Sequence, residues 1–363
     1  MHNDLESVFN KFQVHATFSS VEELISGHIN DTYLIKTAQK PHYVLQKING
    51  VVFPDALELI QNKVLVSNHL QHKYKHLSLQ EIQRKVLCFV KAKDNTFFYK
   101  DTDDNYWNVT IFIDDSITYE KTPNSQIAFE AGKITGEFLQ LTKDFDTKNL
   151  TTILPDFHSV TNRYHQFKNA INTADESKIE SAQEFIKFVE EHIKEMQQID
   201  AAIFANKIPQ QLTHSDTKIS NILYTKTNEA LCLIDTDTVM QGVIHFDYGD
   251  ALRTICNTTD EDCNVESEID FNLDYFKSYS KGFFGEIKDL TKVEIKFLPL
   301  SIKMMPFIMG LRFLTDYLNN NIYYKTNYEK HNFDRAINQL TLVTKIIQKY
   351  SEINTFLLSE LKN

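Results

Sequence analysis

Residues 212–253 read LTHSDTKISNILYTKTNEALCLIDTDTVMQGVIHFDYGDALR, with carboxylates and an amide recurring between short apolar runs. Ile222 to Thr225 and Leu231 to Ile234 are β-prone and are separated by Lys226-Thr227-Asn228-Glu229, a pattern that predicts an antiparallel hairpin. In a hairpin the start of one strand lies beside the end of the other. Asn221 and Asp235 therefore sit side by side although fourteen positions separate them. Both offer oxygen to a Mg2+ ion, which proteins hold through one or two side chains together with substrate phosphates. Asp216, five residues before Asn221, falls in a loop at the mouth of the same site, where it can accept a proton from an attacking hydroxyl. Phosphoryl transfer asks for little more than a metal to neutralise charge and a carboxylate to orient the nucleophile. An H-x-D-x-x-x-x-N string alone is a weak signal, since a lone aspartate in a polar loop is more often a turn or cap residue. The hairpin and the I-D-x-D end reverse that balance.

Composition adds exclusions. At 363 residues the chain is too long for one ordinary core and fits two domains. A net charge of −11 argues against nucleic-acid and anionic-membrane partners. Cys88, Cys232, Cys256 and Cys263 form no C-x-x-C pair, so reduced thiols in a cytoplasmic setting are expected. MHNDLESVFNKF has neither the basic nor the apolar segment of a signal peptide. No apolar run approaches the roughly twenty residues of a spanning helix. A metal-dependent hydrolase would need a His-rich cluster, and no H-E-x-x-H occurs. Glycine is scarce, nine in all, and Gly27, Gly242 and Gly249 fall in the suspected site segments.

The segment 212–253 resembles the aminoglycoside phosphotransferase and choline kinase superfamily, whose signature is a catalytic-loop aspartate, an asparagine five residues on, and an aspartate closing the next hairpin. The resemblance implies ATP and Mg2+ as cofactors, Asp216 as catalytic base, and Asn221 and Asp235 as metal ligands. His214 becomes the loop histidine that props the backbone. Asp237 is either a group behind the metal or a turn residue. Asp247 and Asp250 match the downstream acidic pair, expected as a helix N-cap and a brace for the catalytic loop.

The rest of the chain fits an α+β, bilobal, protein-kinase-like fold, with a small antiparallel-sheet N-lobe and a larger, mainly helical C-lobe. Strand signals dominate up to about residue 113: Tyr33 to Lys36, His42 to Ile48, Lys85 to Lys91, Thr96 to Tyr99 and Tyr106 to Ile113. One helix interrupts them behind Pro54-Asp55, with Leu57, Ile60, Val64 and Leu70 at helical spacing. Beyond residue 114 the pattern turns helical, with stripes at Ile127, Ala131, Ile134, Phe138 and Leu141 and at Phe185, Val189, Ile193 and Met196. A nucleotide-binding lobe at 1–113 and a catalytic, substrate-binding lobe at 114–363 follow. Asp114-Asp115-Ser116 is the hinge, where adenine lies against backbone in kinases. Residues 143 to 180 look irregular, and 257 to 268 form an acidic surface excursion.

The nucleotide loop departs from the superfamily pattern. Ser26-Gly27-His28-Ile29-Asn30-Asp31-Thr32-Tyr33 has one glycine where protein kinases have three, and the resemblance places Asn30 at the nucleotide. Strand alternation puts Val44 and Gln46 on one face and Tyr43, Leu45 and Lys47 on the other. The phosphate-binding Lys or Arg of the superfamily aligns with Gln46. Either Gln46 makes a neutral contact, or a bulge lets Lys47 reach the phosphates. Glu58 and Asn62 both face inward on the helix, and neither is an obvious ion-pair partner.

The strings GHINDTYL, YVLQKIN, FHSVTNRY (157–164), LCLIDTDTVMQG, DYGDALR and RFLTDYL (312–318) are similar to the bacterial N-acetylhexosamine 1-kinases, over about residues 20 to 345. Members of that group phosphorylate the anomeric hydroxyl of N-acetylglucosamine or N-acetylgalactosamine. That hydroxyl is more acidic than an ordinary alcohol and asks only modest basicity of Asp216. The resemblance makes His28, Arg312 and Tyr323 the candidate sugar contacts, with Arg163, Asp316 and Arg335 unranked behind them. Arg312 and Tyr323 share a helix face if the helix survives Asn319-Asn320-Asn321. Arg312 can equally pair with Asp316. A kinase of another small alcohol, such as an aminoglycoside, choline or homoserine, and a nucleotide-binding pseudokinase remain the alternatives. The oligomeric state is left open.

Overall fold

The computed structural model of the chain describes residues 2–24 and 29–361. The first lobe runs α1 (His2–Phe9), β1 (Phe18–Glu23), β2 (Asp31–Thr37), β3 (Tyr43–Lys47), α2 (Ala56–Lys73), α3 (Leu79–Lys85), β4 (Tyr99–Lys100) and β5 (Tyr106–Ile111). Its strands form one antiparallel sheet in the order β1-β2-β3-β5-β4. Alternation along the strands sends Tyr33, Ile35, Tyr43, Leu45, Trp107 and Val109 to one face, where they pack with Phe9 and Phe12. On the other face α2 contributes Leu59 and Ile60 to a cluster with Ile48 and Phe53.

Two helices, α2 and α3, interrupt these strands where one was expected, and α1 precedes them. The signal for α3 is present in Ser78-Leu79-Gln80-Glu81, a capping box in which the Ser78 hydroxyl accepts the Glu81 N–H and the Glu81 carboxylate accepts the Ser78 N–H. Residues 86 to 92 do not form a full strand. The segment exchanges only local hydrogen bonds with β5, Val90 N–H to Val109 O at 2.8 Å and Ile111 N–H to Cys88 O at 2.9 Å.

The second lobe contains β6 (Ser116–Ile117), α4 (Ser125–Leu141), α5 (Val160–Thr173), α6 (Glu176–Met196), α7 (Gln198–Phe204), β7 (Gln211–Thr213), β8 (Ile222–Thr225), β9 (Ala230–Leu233), β10 (Met240–Gly242), α8 (Ile244–Ile255), α9 (Leu273–Glu286), α10 (Lys292–Leu318), α11 (His331–Gln348) and α12 (Tyr350–Glu360). Much of the 143–180 stretch is therefore regular, as α5 and the start of α6. Helix α10 corrects the expectation about apolar runs. By length and composition it alone among the described helices could cross a membrane, but 78% of its apolar window is buried within this fold. Lys296, Lys303, Pro299 and Pro306 disguise its continuity in the sequence.

Scarce glycine is spent where helix α4 crosses α9. A Cβ on Gly132 would lie 1.9 Å from the Tyr279 carbonyl oxygen, and one on Gly282 would lie 2.1 Å from that of Phe129. Neither helix can yield without moving its partner. Gly132→Ala is expected to destabilise the protein by about 1–3 kcal/mol through overpacking. Urea unfolding measures it, and an unchanged midpoint would mean that the crossing is loose.

Candidate active site

The loop between β7 and β8 carries Asp216, and it is fixed from behind by Asp247 in the first turn of α8. The buried carboxylate accepts the His214 N–H at 2.8 Å and the Ser215 N–H at 2.7 Å. The Thr217 hydroxyl donates to the Asp247 carbonyl at 2.7 Å. Asp247 thus braces the loop, but it is not a cap, because the N-cap position of α8 is Val243. These bonds hold Ser215 at a φ of 66°, a left-handed conformation that costs a side-chain-bearing residue about 1–2 kcal/mol. The His214 ring Nε2 donates to the Ile234 carbonyl at 3.0 Å and ties the loop to the hairpin. Burial lowers the pKa of that ring and keeps it neutral.

Asp216 is aimed by its neighbours. Asn221 Nδ2 donates to its carbonyl at 2.9 Å and to its Oδ2 at 2.8 Å, and Lys218 Nζ stands 3.1 Å from the same Oδ2. Burial pushes the carboxyl pKa up, but the Lys218 ammonium outweighs it and holds the group below the ordinary carboxylate range. It is ionised at neutral pH.

The hairpin forms as β8 and β9, and Ile234 N–H donates to the Asn221 carbonyl at 2.9 Å, which brings Asn221 to the root of Asp235. The Asp235 carboxylate has no hydrogen-bond or ion-pair partner among the described residues. Burial, Asp237 and Asp216 push its pKa up to about 7 against the pull of Lys218 and Lys63. Asn221 donates both bonds from its nitrogen, and its amide oxygen has no partner among the described residues. An unpartnered carboxylate beside a free amide oxygen suits a hard cation, with phosphate oxygens completing the shell. Among the described residues no group of three or more His, Cys, Asp or Glu side chains converges on a point.

Asp237 is neither a plain turn residue nor exposed. One carboxylate oxygen accepts from Asn30 Nδ2 and the other pairs with Lys63 Nζ at 2.5 Å. Lys63 also donates to Gln46 Oε1 at 2.7 Å. Strand β3 keeps a regular register with both neighbours, so the bulge that would bring Lys47 around does not form. Lys47 lies on the other face, its ammonium 5.8 Å from the Trp107 ring centre. On α2, Asn62 exchanges hydrogen bonds with the Thr151 backbone instead of facing the sheet.

The candidate acceptor residues gather near the loop by a different route from the one expected. Helix α10 ends at Leu318, so Tyr323 is not on it. Asp316 accepts the backbone N–H groups of Tyr323 and Tyr324, both at 2.9 Å, and folds that segment back. It does not pair with Arg312. The Arg312 guanidinium lies 4.9 Å from the Phe157 ring centre, 5.5 Å from Tyr324 and 6.0 Å from Tyr323, and its one hydrogen bond among the described residues reaches Met309 Sδ at 3.5 Å. Next to Phe157, His158 donates from Nε2 to the Ser215 carbonyl at 3.0 Å, anchoring this cluster to the loop that carries Asp216. Arg335, on α11, lies 5.5 Å from the ring centre of Phe313, the residue after Arg312 on α10. His28 lies outside the described residues.

Two cations escaped the sequence reasoning. Lys218 is visible only as the second residue after Asp216. Lys63 carries a clearer signal, because it continues the core spacing Leu59, Lys63, Val66, Leu70 in steps of 4, 3 and 4.

Residues 20–279 match the model of the phosphotransferase enzyme family, and the chain belongs to that family. Solved structures share the fold at low sequence identity. An aminoglycoside phosphotransferase from Alicyclobacillus acidocaldarius is 13% identical with a TM-score of 0.62, over 98% of this chain and 95% of that one. Amicoumacin kinase, in complex with AMP-PNP, Ca2+ and amicoumacin, is 14% identical with a TM-score of 0.62, over 94% and 96%. A spectinomycin phosphotransferase bound to ADP and spectinomycin is 11% identical with a TM-score of 0.61, over 97% and 99%. The bilobal kinase-like fold is common to them all.

Because the Asp235 pKa is raised, the folded protein retains a proton there that the unfolded chain has released. Stability therefore falls as pH rises from the ordinary carboxylate range through about 7. Without metal, Asp235→Asn is expected to melt above the wild type at about pH 8 and to converge with it near about pH 5. Melts across pH test this, and a constant difference would assign the shift elsewhere.

Proposed function

We propose that the protein is an ATP- and Mg2+-dependent kinase that transfers the γ-phosphate to the anomeric hydroxyl of an N-acetylhexosamine, N-acetylglucosamine or N-acetylgalactosamine, giving a sugar 1-phosphate. The observation that carries the acceptor class is the Arg312 cluster. A guanidinium stacked on three aromatic rings, without a carboxylate partner among the described residues, adjoins the loop carrying Asp216 through Phe157 and His158. Arg163 shares the Phe157 ring, and burial together with Arg312 lowers its pKa to about 10. Two cations at an acceptor site repel a polycationic aminoglycoside or choline, whereas an acylated sugar offers an amide oxygen to a guanidinium and an apolar ring face to tyrosine. The resemblance of the 157–164 and 312–318 strings to hexosamine 1-kinases points the same way.

In this reaction Asp216 accepts the proton of the anomeric hydroxyl as its oxygen bonds to the γ-phosphorus and ADP departs. The depressed pKa of Asp216 keeps it ionised to do so, and the loose transition state asks little basicity of it. Lys218 holds the carboxylate and faces the incoming phosphoryl charge. Asn221 and Asp235 would hold the magnesium ion, which neutralises phosphate charge when bound. The hinge Asp114-Asp115-Ser116, where the first lobe joins β6, would receive the adenine.

Asp216→Asn should bind Mg–ATP as the wild type does and lose about 10²–10⁴-fold in kcat; undiminished turnover would remove the base assignment. Arg312→Ala should raise the sugar KM far more than the ATP KM, and an equal rise in both would indicate structural damage. Identification of the product formed from N-acetylglucosamine, N-acetylgalactosamine, an aminoglycoside, choline and homoserine separates this acceptor from the others.

A further inference from the structure

Gln46 stands on β3 where the superfamily resemblance calls for a cation, and it is neutral. The positive charge is nevertheless there. Helix α2 sends Lys63 across the sheet so that its ammonium sits one hydrogen bond, 2.7 Å, beyond the tip of Gln46, with Asp237 2.5 Å away on its other side. Lys63 and Asp237 side chains are each only 5% exposed. Removing such a cation from water costs several kcal/mol, and an apolar residue at this core position would pack more cheaply. Asp237 offsets part of that cost from the second lobe, two residues after Asp235. Its remaining oxygen accepts from Asn30, which lies at the end of the nucleotide loop and whose own Oδ1 accepts the Asn49 N–H at 2.8 Å. One ammonium is thus held between the phosphate-loop end, the central strand, helix α2 and the turn that follows Asp235.

We propose that Lys63 is the phosphate-contacting cation of the nucleotide site, delivered from helix α2 in place of a strand lysine, with Gln46 and Asp237 as the residues that position it. The strand and helix have exchanged roles: the amide stands on the strand, the ammonium on the helix, and the anchoring carboxylate comes from the other lobe. Binding of a nucleotide places phosphate oxygens against an ammonium that Asp237 already orients, so no side chain has to be recruited. This assignment rests on the protein using ATP, as proposed above, and it answers the pseudokinase alternative, which drew on the neutral residue at position 46.

The test is calorimetric binding of Mg–ATP and of adenosine, without acceptor, to the full chain. Lys63→Met is expected to weaken Mg–ATP about ten- to a hundredfold while adenosine binding stays at the wild-type level. The double variant Lys63→Gln with Gln46→Lys returns the cation to the strand within reach of Asp237, and it should regain most of the Mg–ATP affinity. It also leaves the buried carboxylate a partner, so it guards against a Lys63→Met protein that fails to fold. Wild-type Mg–ATP affinity in Lys63→Met, or equal loss of Mg–ATP and adenosine in both variants, overturns the assignment of Lys63 alone. A wild-type protein that binds no Mg–ATP overturns the functional proposal along with it.

Discussion

Two backbone N–H groups, those of His214 and Ser215, point into one buried carboxylate, Asp247, and the site depends on that contact. A buried carboxylate with hydrogen bonds to both oxygens from adjacent amides admits little rotation of the loop between them. Asp216 follows directly, so its direction is set by a helix and not by the loop's own preferences. That helix is itself seated deeply: a Cβ on Gly249 would come within 2.4 Å of the Ser301 carbonyl oxygen, which brings α8 into backbone contact with α10. Loop, helix and core helix form one rigid stack under the Asp216 carboxylate.

Around that stack the charges are uneven. Asp216, Asp235, Asp237, Asp247 and Asp250 crowd one end of the second lobe, answered by Lys218, Lys63 and Arg253. The assignment of partners leaves Asp235 alone among them without a hydrogen bond or ion pair in the described residues, apart from its membership of the same field. A site already balanced would gain little from a divalent cation. Here the imbalance is concentrated on the carboxylate beside the free amide oxygen of Asn221.

The local elements of this fold were legible because their patterns are strong. The 222–234 hairpin shows in two β-prone runs around a polar turn, and α4 and α6 show in apolar steps of three and four. The long α10 was hidden by lysines and prolines that the fold buries or tolerates. Residues 86 to 92 are rich in β-prone apolar residues, yet packing grants them only a partial ladder beside β5. Asn221 and Asp235 could be brought together from spacing alone, since the hairpin fixes them, and Asp216 joins them from the loop five residues before Asn221. Lys63 could be marked as core-facing by its spacing but not joined to the site: a lysine in a helix ordinarily turns its head to water, and Gln46 and Asp237, 17 and 174 positions away, keep this one inside. The closeness of Arg312 and Tyr323 was foreseen for the wrong reason, because a chain reversal pinned by Asp316 does what helix continuation was expected to do.

Asp237 also bears on how the molecule comes apart. Its chain belongs to the second lobe, while Asn30 and Lys63, its partners, belong to the first. Each lobe has apolar clusters centred on its own elements, though Val66 of α2 packs in the second lobe's core and Ile153 in a cluster of the first; lobes with separate cores commonly melt independently. Here opening either lobe breaks the buried Lys63–Asp237 pair and bares apolar side chains that pack across the boundary, such as Val66 and Ile153. The two lobes are therefore coupled into one cooperative unit, and heat should take the protein apart in a single calorimetric transition where its architecture alone would allow two.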